Sequence, residues 1–142
     1  MVPKFRAWLK YDKEMKNVLA FDTRGHSFLG IEGPHVTVDG WCDNFEVDKQ
    51  ADIMQSAGFK DKNGVEIFEG DIVKIAINNG FDYLDGNLSI VKKSEYHSGL
   101  ICELLSNTLE YLITDEADTG YRYEVMGNIY ENPELLEQAH EN

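Results

Sequence analysis

Short stretches of alternating apolar and polar residues recur along most of this chain. Phe5, Ala7 and Leu9 alternate with charged or amphipathic residues, and a spacing of two predicts a β-strand. Further short apolar runs follow at residues 18–21, 27–29, 35–38, 72–77, 88–92, 100–104, 109–113 and 123–127. Strands of this length, at intervals of about 8–12 residues, predict a mainly β protein built as a small barrel or sandwich.

Glycine, asparagine and aspartate separate these runs. Residues 12–17 predict the turn of a first hairpin, and Glu69-Gly70-Asp71 predicts another turn. Asn63-Gly64 lies between extended flanks and predicts a tight type I′ turn, because both central residues of that turn take positive φ. Residues 45–57 have mixed periodicity, so a short helix and an irregular connection both remain open there.

The end of the sequence predicts a short helix. Asn132 suits the N-cap, Pro133 suits the first helical position, and Glu134 suits the positive end of the helix dipole. Leu135, Leu136 and Ala139 follow on one stripe. We therefore expect a C-terminal helix that leans on the β-structure.

The charge is strongly negative and unevenly distributed. Of a net charge of −13, residues 1–93 carry 12 Lys/Arg and 15 Asp/Glu, and residues 94–142 carry one Arg and 11 Asp/Glu. An acidic surface repels the phosphate backbone, so direct nucleic-acid binding is not expected. The exception is the basic stretch 1–24, in which Trp8 and Tyr11 could stack on single-stranded bases. A solvated strand face is the competing interpretation.

Two further features bear on the cellular compartment. The sequence has no run of about 18 apolar residues, and its start lacks the pattern of a signal peptide, so neither membrane insertion nor export is expected. Cys42 and Cys102 are far apart and form no CxxC pattern, which favours reduced thiols. These features predict a cytoplasmic protein.

The residue types that carry chemistry are present but not clustered in sequence. The histidines His26, His35, His97 and His140 are widely spaced, so no metal site is predicted. Neither a nucleotide-binding glycine motif nor a GxSxG nucleophile elbow occurs, and we expect no cofactor and no catalytic residues. The acidic loop with Asp115, Glu116 and Asp118 is either a solvated hairpin tip or a contact for a basic partner.

Three segments together resemble a known family. They are KFRAW at 4–8, Met54-Gln55 with GFKDKNGVEIFEGDIV at 58–73, and GNIYENPELL at 127–136. Their order and content resemble the YopX-like family. That family commonly has an aromatic residue and a threonine after Met-Gln, where this chain has Ser56-Ala57, so any role of that aromatic is in doubt here.

The resemblance implies a phage or prophage origin and an SH3-like barrel for the part that begins near Gly58. With the strand pattern, it predicts an N-terminal strand-rich lobe at residues 1–57 and an SH3-like barrel with the C-terminal helix at residues 58–142. The resemblance also implies oligomers rather than monomers. It brings no established activity and no catalytic residues to transfer.

We therefore expect a non-enzymatic accessory protein that binds protein, self-associates as a homo-oligomer and could contact a host or phage protein. Aromatic residues are enriched at interface hot spots, and the candidates are Trp8, Tyr11, Trp41 and Tyr83. An alternative is an acidic DNA mimic that inhibits a host nucleic-acid enzyme. A third hypothesis is an enzyme of unrecognised type, which requires a deep pocket with convergent polar groups.

Overall fold

A computed structural model describes residues 4–25, 30–40, 43–77, 86–94, 99–106, 110–112 and 121–141. Eleven strands and one helix lie in these ranges. They are β1 Phe5–Leu9, β2 Glu14–Asp22, β3 His35–Val38, β4 Asn44–Glu46, β5 Ala51–Lys60, β6 Glu66–Phe68, β7 Asp71–Ile77, β8 Leu88–Lys93, β9 Leu100–Leu104, β10 Glu110–Leu112, β11 Tyr121–Asn128 and α1 Glu134–Glu141.

The mainly β prediction and the short C-terminal helix are confirmed. The strands form two antiparallel sheets, ordered β4-β3-β2-β1-β5-β6 and β10-β9-β8-β7-β11. Among the described residues no pairing joins β10 to β11, so no closed barrel is seen there. In the same part of the chain, no helix is both long and apolar enough to cross a bilayer.

The chain divides into two compact units, Met1–Gln55 and Ser56–Asn142, a division two residues from the predicted boundary. Strand β5 continues through the division. Its first half pairs with β1, and its second half pairs with β6 at Ser56–Phe68 and Lys60–Glu66. The register shifts between these two pairs, where Gly58 has a φ of 84°. A glycine in this left-handed conformation is typical of a β-bulge.

The N-terminal unit has its own apolar core. Ala7 and Leu9 of β1 are fully buried, as their alternation predicts. Five fully buried residues form this core: Ala7, Leu9, Val36, Val38 and Ala51. Because Val18 of β2 lies directly opposite Val38 of β3, the pairing of these strands brings apolar side chains to one face.

Two sequence predictions in this unit were wrong. The first hairpin turns at residues 10–13 rather than 12–17, since β2 already begins at Glu14 and Lys13 takes a φ of 55°. Residues 45–57 form neither a helix nor an irregular connection, because they contribute to β4 and β5. There Ala51 and Met54 are buried, and burial against neighbouring strands outweighs the weak local pattern. The predicted strand at 27–29 lies outside the described residues.

The C-terminal unit is built around a second core. Its buried members are Ile67, Val73, Ile75, Val91, Cys102, Leu104 and Tyr123, and partly buried Ala57 and Phe59 pack against them. Ile67 belongs to the β5–β6 hairpin, whereas Val73 and Tyr123 belong to the five-stranded sheet. The hairpin and the sheet of this unit therefore share one hydrophobic core.

The turn at Asp61–Gly64 differs from the prediction. Gly64 has a φ of 84°, but Asn63 does not have positive φ, so the turn is not type I′. The Asp61 carboxylate instead accepts the N–H groups of Asn63 and Val65 at 2.8 Å each, as aspartates do in Asx turns. The predicted turn at residues 69–71 is confirmed, and there Gly70 has a φ of 89°.

We predict that Gly25→Ala destabilises the N-terminal unit by about 2 kcal/mol. A Cβ at this position would lie 2.7 Å from the Glu32 carbonyl oxygen and 2.8 Å from that of Ile31. Both obstructing atoms are backbone atoms, which cannot rotate away. Urea unfolding followed by tryptophan fluorescence measures the effect. Gly33→Ala is the matched control, because its Cβ would meet nothing within 4 Å. Equal stability of the two variants would contradict the prediction.

Candidate functional site

The clearest exposed feature of the N-terminal unit is its first hairpin. Tyr11 lies in the turn between β1 and β2 and is 95% exposed, and Leu19 of β2 is 66% exposed. Phe21, near the end of β2, is 44% exposed and stacks on Phe5 with ring centroids 6.1 Å apart. We call Tyr11, Leu19 and Phe21 the hairpin surface. These exposed side chains are spread along the hairpin, with Tyr11 at its turn and Leu19 and Phe21 towards the other end of β2.

A groove of about 410 Å³ borders this surface. Phe21, Asp22, Arg24, His35 and Thr37 are among its lining residues. The Asp22 carboxylate accepts the Arg24 backbone N–H at 2.8 Å and lies 3.3 Å from Arg24 Nε. These hydrogen bonds from Arg24 lower the pKa of Asp22 below its ordinary 3.8. The groove therefore combines an aromatic wall with a charged pair that is already neutralised.

A second groove, of about 660 Å³, lies beside β4 and is lined in part by Phe45, Glu46 and Lys49. Glu46 accepts the backbone N–H of Glu32 at 3.0 Å and of Gly33 at 3.2 Å, and its other oxygen lies 3.1 Å from Lys49 Nζ. The hydrogen bond from Lys49, followed by that from Glu32, lowers the pKa of Glu46 below 4.5. Glu46 is therefore ionised at neutral pH, and its hydrogen bonds hold the backbone of residues 32–33 in place.

Asp61 performs a similar task in the C-terminal unit. Besides the two amides of its own turn, it accepts the N–H of Val125 in β11 at 3.0 Å. Burial by itself raises the pKa of Asp61, but the hydrogen bonds from Val125, Val65 and Asn63 together outweigh burial and lower it below 3.8. Lys62 N also donates to the Tyr123 carbonyl at 2.8 Å. The turn therefore binds backbone groups of β11.

The segment after β11 is organised by two asparagines. The Asn128 side-chain oxygen accepts the N–H groups of Tyr130 at 3.0 Å and Glu131 at 2.8 Å, while its Nδ2 donates to the Glu131 carboxylate at 2.9 Å. Asn132 was predicted as the helix N-cap, but its side-chain oxygen accepts the N–H of Asn128 at 3.2 Å. The helix begins with a backbone bond from Leu135 N to the Asn132 carbonyl.

These geometries bear on catalysis and metal binding. Three carboxyl groups, those of Asp22, Glu46 and Asp61, have their pKa lowered below the ordinary value. A carboxylic general acid needs the opposite shift. Among the described residues, no group of three or more His, Cys, Asp or Glu is placed to hold a metal ion.

The structure brings together few of the predicted contact residues. Tyr11 is exposed, whereas Trp8 is half-buried in β1, opposite Met15 and Asp52 on the neighbouring strands. The remaining predicted contacts lie outside the described residues: Trp41, Tyr83, Asp115, Glu116 and Asp118.

Sequence reasoning missed two members of the hairpin surface. Leu19 and Phe21 were assigned to a strand but not to a contact surface. The signal for them was the unbroken apolar run at 18–21. Because successive side chains of a strand point to opposite faces, such a run must place some apolar side chains on the outer face. The register shift between Val18 and Ala20 leaves Leu19 without a strand partner at the bulge.

Comparison with known proteins gives the family. Residues 4–137 match the YopX protein family. The chain belongs to the YopX family. A similar solved structure is the crystal structure of protein EF1440 from Enterococcus faecalis, with a TM-score of 0.57, 27% identity, and coverage of 96% of this chain and 99% of that one. No curated protein matches the chain.

Two of the three segments that carry the YopX resemblance contain polar residues to which the structure gives backbone-binding roles. In the first, Asp61 and Gly64 form the turn that binds β11, and buried Asp71 accepts the Phe68 N–H at 2.8 Å. In the second, Asn128 and Asn132 hold the segment before α1. Ser56, which follows the Met54-Gln55 pair, donates to Glu66 at 3.0 Å and accepts from Gly58 N.

Proposed function

We propose that this YopX protein is a phage or prophage accessory protein that works by binding protein, including further copies of itself, and catalyses no reaction. The observation that carries the proposal is the hairpin surface. Isolated exposed apolar residues are ordinary, but several together mark interaction sites. Leu19 and Phe21 lie two residues apart on β2, where Phe21 lines a groove, and Tyr11 adds an exposed ring at the turn of the same hairpin.

Three carboxylates favour binding over catalysis. Asp22, Glu46 and Asp61 bind backbone amides of their own chain. The DNA-mimic alternative requires carboxylates displayed on one face at the spacing of phosphates. Because these three groups are engaged internally, they favour the protein-binding proposal over that alternative.

The proposal includes a finer fold and a location. We propose an SH3-like arrangement for the C-terminal unit, supported by Ile67 of the β5–β6 hairpin packing in the same core as Val73 and Tyr123 of the five-stranded sheet. Two β-layers over one core are typical of small barrels and sandwiches. We also propose the cytoplasm of the bacterial host, since Cys102 is a reduced thiol inside that core.

Sedimentation velocity of the purified chain tests the proposal. We expect the 16.2 kDa chain to sediment as a species of at least twice that mass, and Tyr11→Ser combined with Leu19→Ser to sediment as a monomer. Removing these side chains takes away apolar area that the contact would bury, and this weakens self-association.

Val65→Ser is the control, because Val65 is 49% exposed but lies in the other unit. This variant should sediment like the wild type. The proposal would be overturned if the wild-type chain stayed monomeric at every concentration up to about 1 mM, since a dissociation constant above that value means very weak association. It would also be overturned by a Tyr11/Leu19 variant that keeps the wild-type mass.

A further inference from the structure

The turn between β5 and β6 contains an asparagine followed by a glycine. Asn63 and Gly64 are both exposed. The Asn63 backbone N–H donates to the Asp61 carboxylate at 2.8 Å, which anchors its backbone. Within the described part of the chain, no hydrogen bond holds the Asn63 side-chain amide. This amide is therefore exposed to water and can rotate towards the backbone of the next residue.

Gly64 leaves space for such an approach. It has a φ of 84°, and a Cβ at this position would meet nothing within 4 Å. Because glycine has no side chain, another group can come close to its backbone nitrogen. The Gly64 N–H donates to the Asp61 carbonyl at 3.1 Å, near the long end of the range for such bonds. A reaction at this nitrogen has to break this long hydrogen bond.

We propose that Asn63 is a self-modification site, at which the Gly64 nitrogen attacks the Asn63 side chain and the asparagine is converted to aspartate and isoaspartate. Hydroxide takes the proton from the Gly64 N–H, and the nitrogen forms a bond to Asn63 Cγ. The Cγ–Nδ2 bond breaks and, with a proton from water, ammonia leaves, so that a cyclic succinimide remains. Asparagine is one of the thermally labile residue types of proteins.

Water then opens the succinimide at one of its two carbonyl groups. Attack at Cγ gives aspartate at position 63, and attack at the main-chain carbonyl gives isoaspartate, in which the chain runs through the side chain. The net reaction consumes one water and releases one ammonia, and no group is oxidised or reduced. Either product carries a negative charge that asparagine lacks.

The other asparagines that the structure describes lack this combination. Each of them is followed by a residue other than glycine. Asn17 is exposed as well, but Val18 follows it in β2, and a branched Cβ shields the backbone and restricts its conformation. Pro133 follows Asn132 and has no N–H to lose. Asn63 is therefore the expected site in the described residues, and Asn17 is its matched control.

The modification weakens the contact between this turn and β11. The Asp61 carboxylate joins the two because it accepts the Val65 N–H at 2.8 Å and the Val125 N–H at 3.0 Å. A carboxylate on residue 63 adds negative charge beside the Asp61 carboxylate, which binds the N–H of residue 63, and like charges repel. Isoaspartate also inserts a methylene group into the backbone of a loop that is closed by the bond from Asp61 N to the Val65 carbonyl at 2.7 Å. The turn therefore loosens irreversibly as the protein ages.

Incubation of the purified chain at mildly alkaline pH, followed by proteolysis and peptide mass spectrometry, tests the proposal. We expect the peptide with Asn63 to gain the mass of one deamidation and to separate into two products, which electron-transfer fragmentation identifies as aspartate and isoaspartate. Conversion should be faster at higher pH, because the Gly64 nitrogen reacts after loss of its proton. We expect Asn63 to react at least about tenfold faster than Asn17, a difference of about 1.4 kcal/mol in activation free energy.

Hydrogen exchange of the Val125 amide measures the consequence for the turn. This N–H donates to the Asp61 carboxylate in the unmodified protein, and we expect it to exchange at least about tenfold faster in the isoaspartate form. Asn63→Ser is the matched control, since serine keeps the backbone N–H but has no side-chain amide to lose. Incubation should leave this variant unchanged. Freshly prepared Asn63→Asp supplies the aspartate product and shows how much of the effect comes from charge alone.

A urea-unfolded sample of the same chain shows that the conditions permit the reaction. If the unfolded chain converts Asn63 but the folded chain converts it no faster than Asn17, the turn protects Asn63 and the proposal is wrong. If Asn63 is converted in the folded chain but the Val125 amide exchanges as before, the predicted loosening of the turn is wrong. The second Asn-Gly pair, Asn79-Gly80, lies outside the described residues, and its peptide is analysed separately.

Discussion

Replacing Asp61 with alanine will lower the free energy of unfolding of the C-terminal unit by about 3 kcal/mol. The Asp61 carboxylate accepts three backbone N–H groups, two from its own turn and one from Val125 in β11, at 2.8–3.0 Å. Alanine leaves all three donors without this acceptor, and each lost hydrogen bond to a charged acceptor costs about 1 kcal/mol or more. Native-state hydrogen exchange of the β7 amides measures the change.

The same carboxylate makes stability depend on pH. Because the folded-state pKa of Asp61 lies below the ordinary value of 3.8, its stabilising effect is fully present above that value. It is lost as the pH falls through the lower, folded-state pKa. The stability difference between the wild type and Asp61→Ala should therefore shrink as the pH is lowered from about 5 towards 2. A difference that is constant across this range would contradict the assignment.

Two variants provide the controls for Asp61. Asp61→Asn keeps one oxygen acceptor but turns an N–H₂ group towards one of the donors, so it should be intermediate and without the pH dependence. Lys62→Ala removes only an exposed ion pair with Glu124 at 3.2 Å, which is worth about 0–1 kcal/mol. If Lys62→Ala were as damaging as Asp61→Ala, the ion pair would be the stabilising contact.

Much of the fold was predictable because burial on one face imposes a period of two. The alternation at residues 5–9 and the run at 72–77 became β1 and β7, and the Asn132-Pro133 pair marked the start of α1. The prediction for residues 45–57 was wrong because the strands in this segment depend on partners that are distant in sequence. Ala51 pairs with Leu9 and Met54 with Arg6, and no local pattern records such pairings.

The candidate site was less predictable than the fold, for a physical reason. Tyr11 could be proposed from residue type alone, since it is aromatic and lies close to a turn. Leu19 and Phe21 were harder to identify, because the apolar run at 18–21 does not show which of its members face outwards, and the strand register shifts between Val18 and Ala20. A bulge depends on how two strands register, and residue types reveal register only weakly.

The structure also changes how association is expected to occur. Exposed edge strands are common pairing surfaces, yet two edge strands of this protein are contacted by other parts of its own chain. On β4, Glu46 N donates to the Gln50 side chain at 2.8 Å and the Glu46 carbonyl accepts Gln50 N at 2.9 Å. On β11, Asp61 and Lys62 engage Val125 and Tyr123. Covered edges resist strand addition, so contact through side chains such as Tyr11 is favoured.

The C-terminal signature leads to the second large effect: Asn128→Ala will destabilise the C-terminal unit by about 2–3 kcal/mol. Asn128 is 7% exposed, and its oxygen accepts the N–H groups of Tyr130 and Glu131. Alanine removes the acceptor from both, and it also removes the Nδ2 donor to Glu131. Urea unfolding followed by circular dichroism measures the loss.

Glu131→Ala separates the contributions within this turn. It removes the carboxylate that Asn128 Nδ2 binds but keeps the Asn128 oxygen and both backbone donors. Because Glu131 is exposed, we expect a loss below about 1 kcal/mol. Equal losses in the two variants would mean that the side-chain pair, rather than the capped backbone, stabilises the turn. The larger loss in Asn128→Ala would show that this family signature specifies a backbone turn that positions α1.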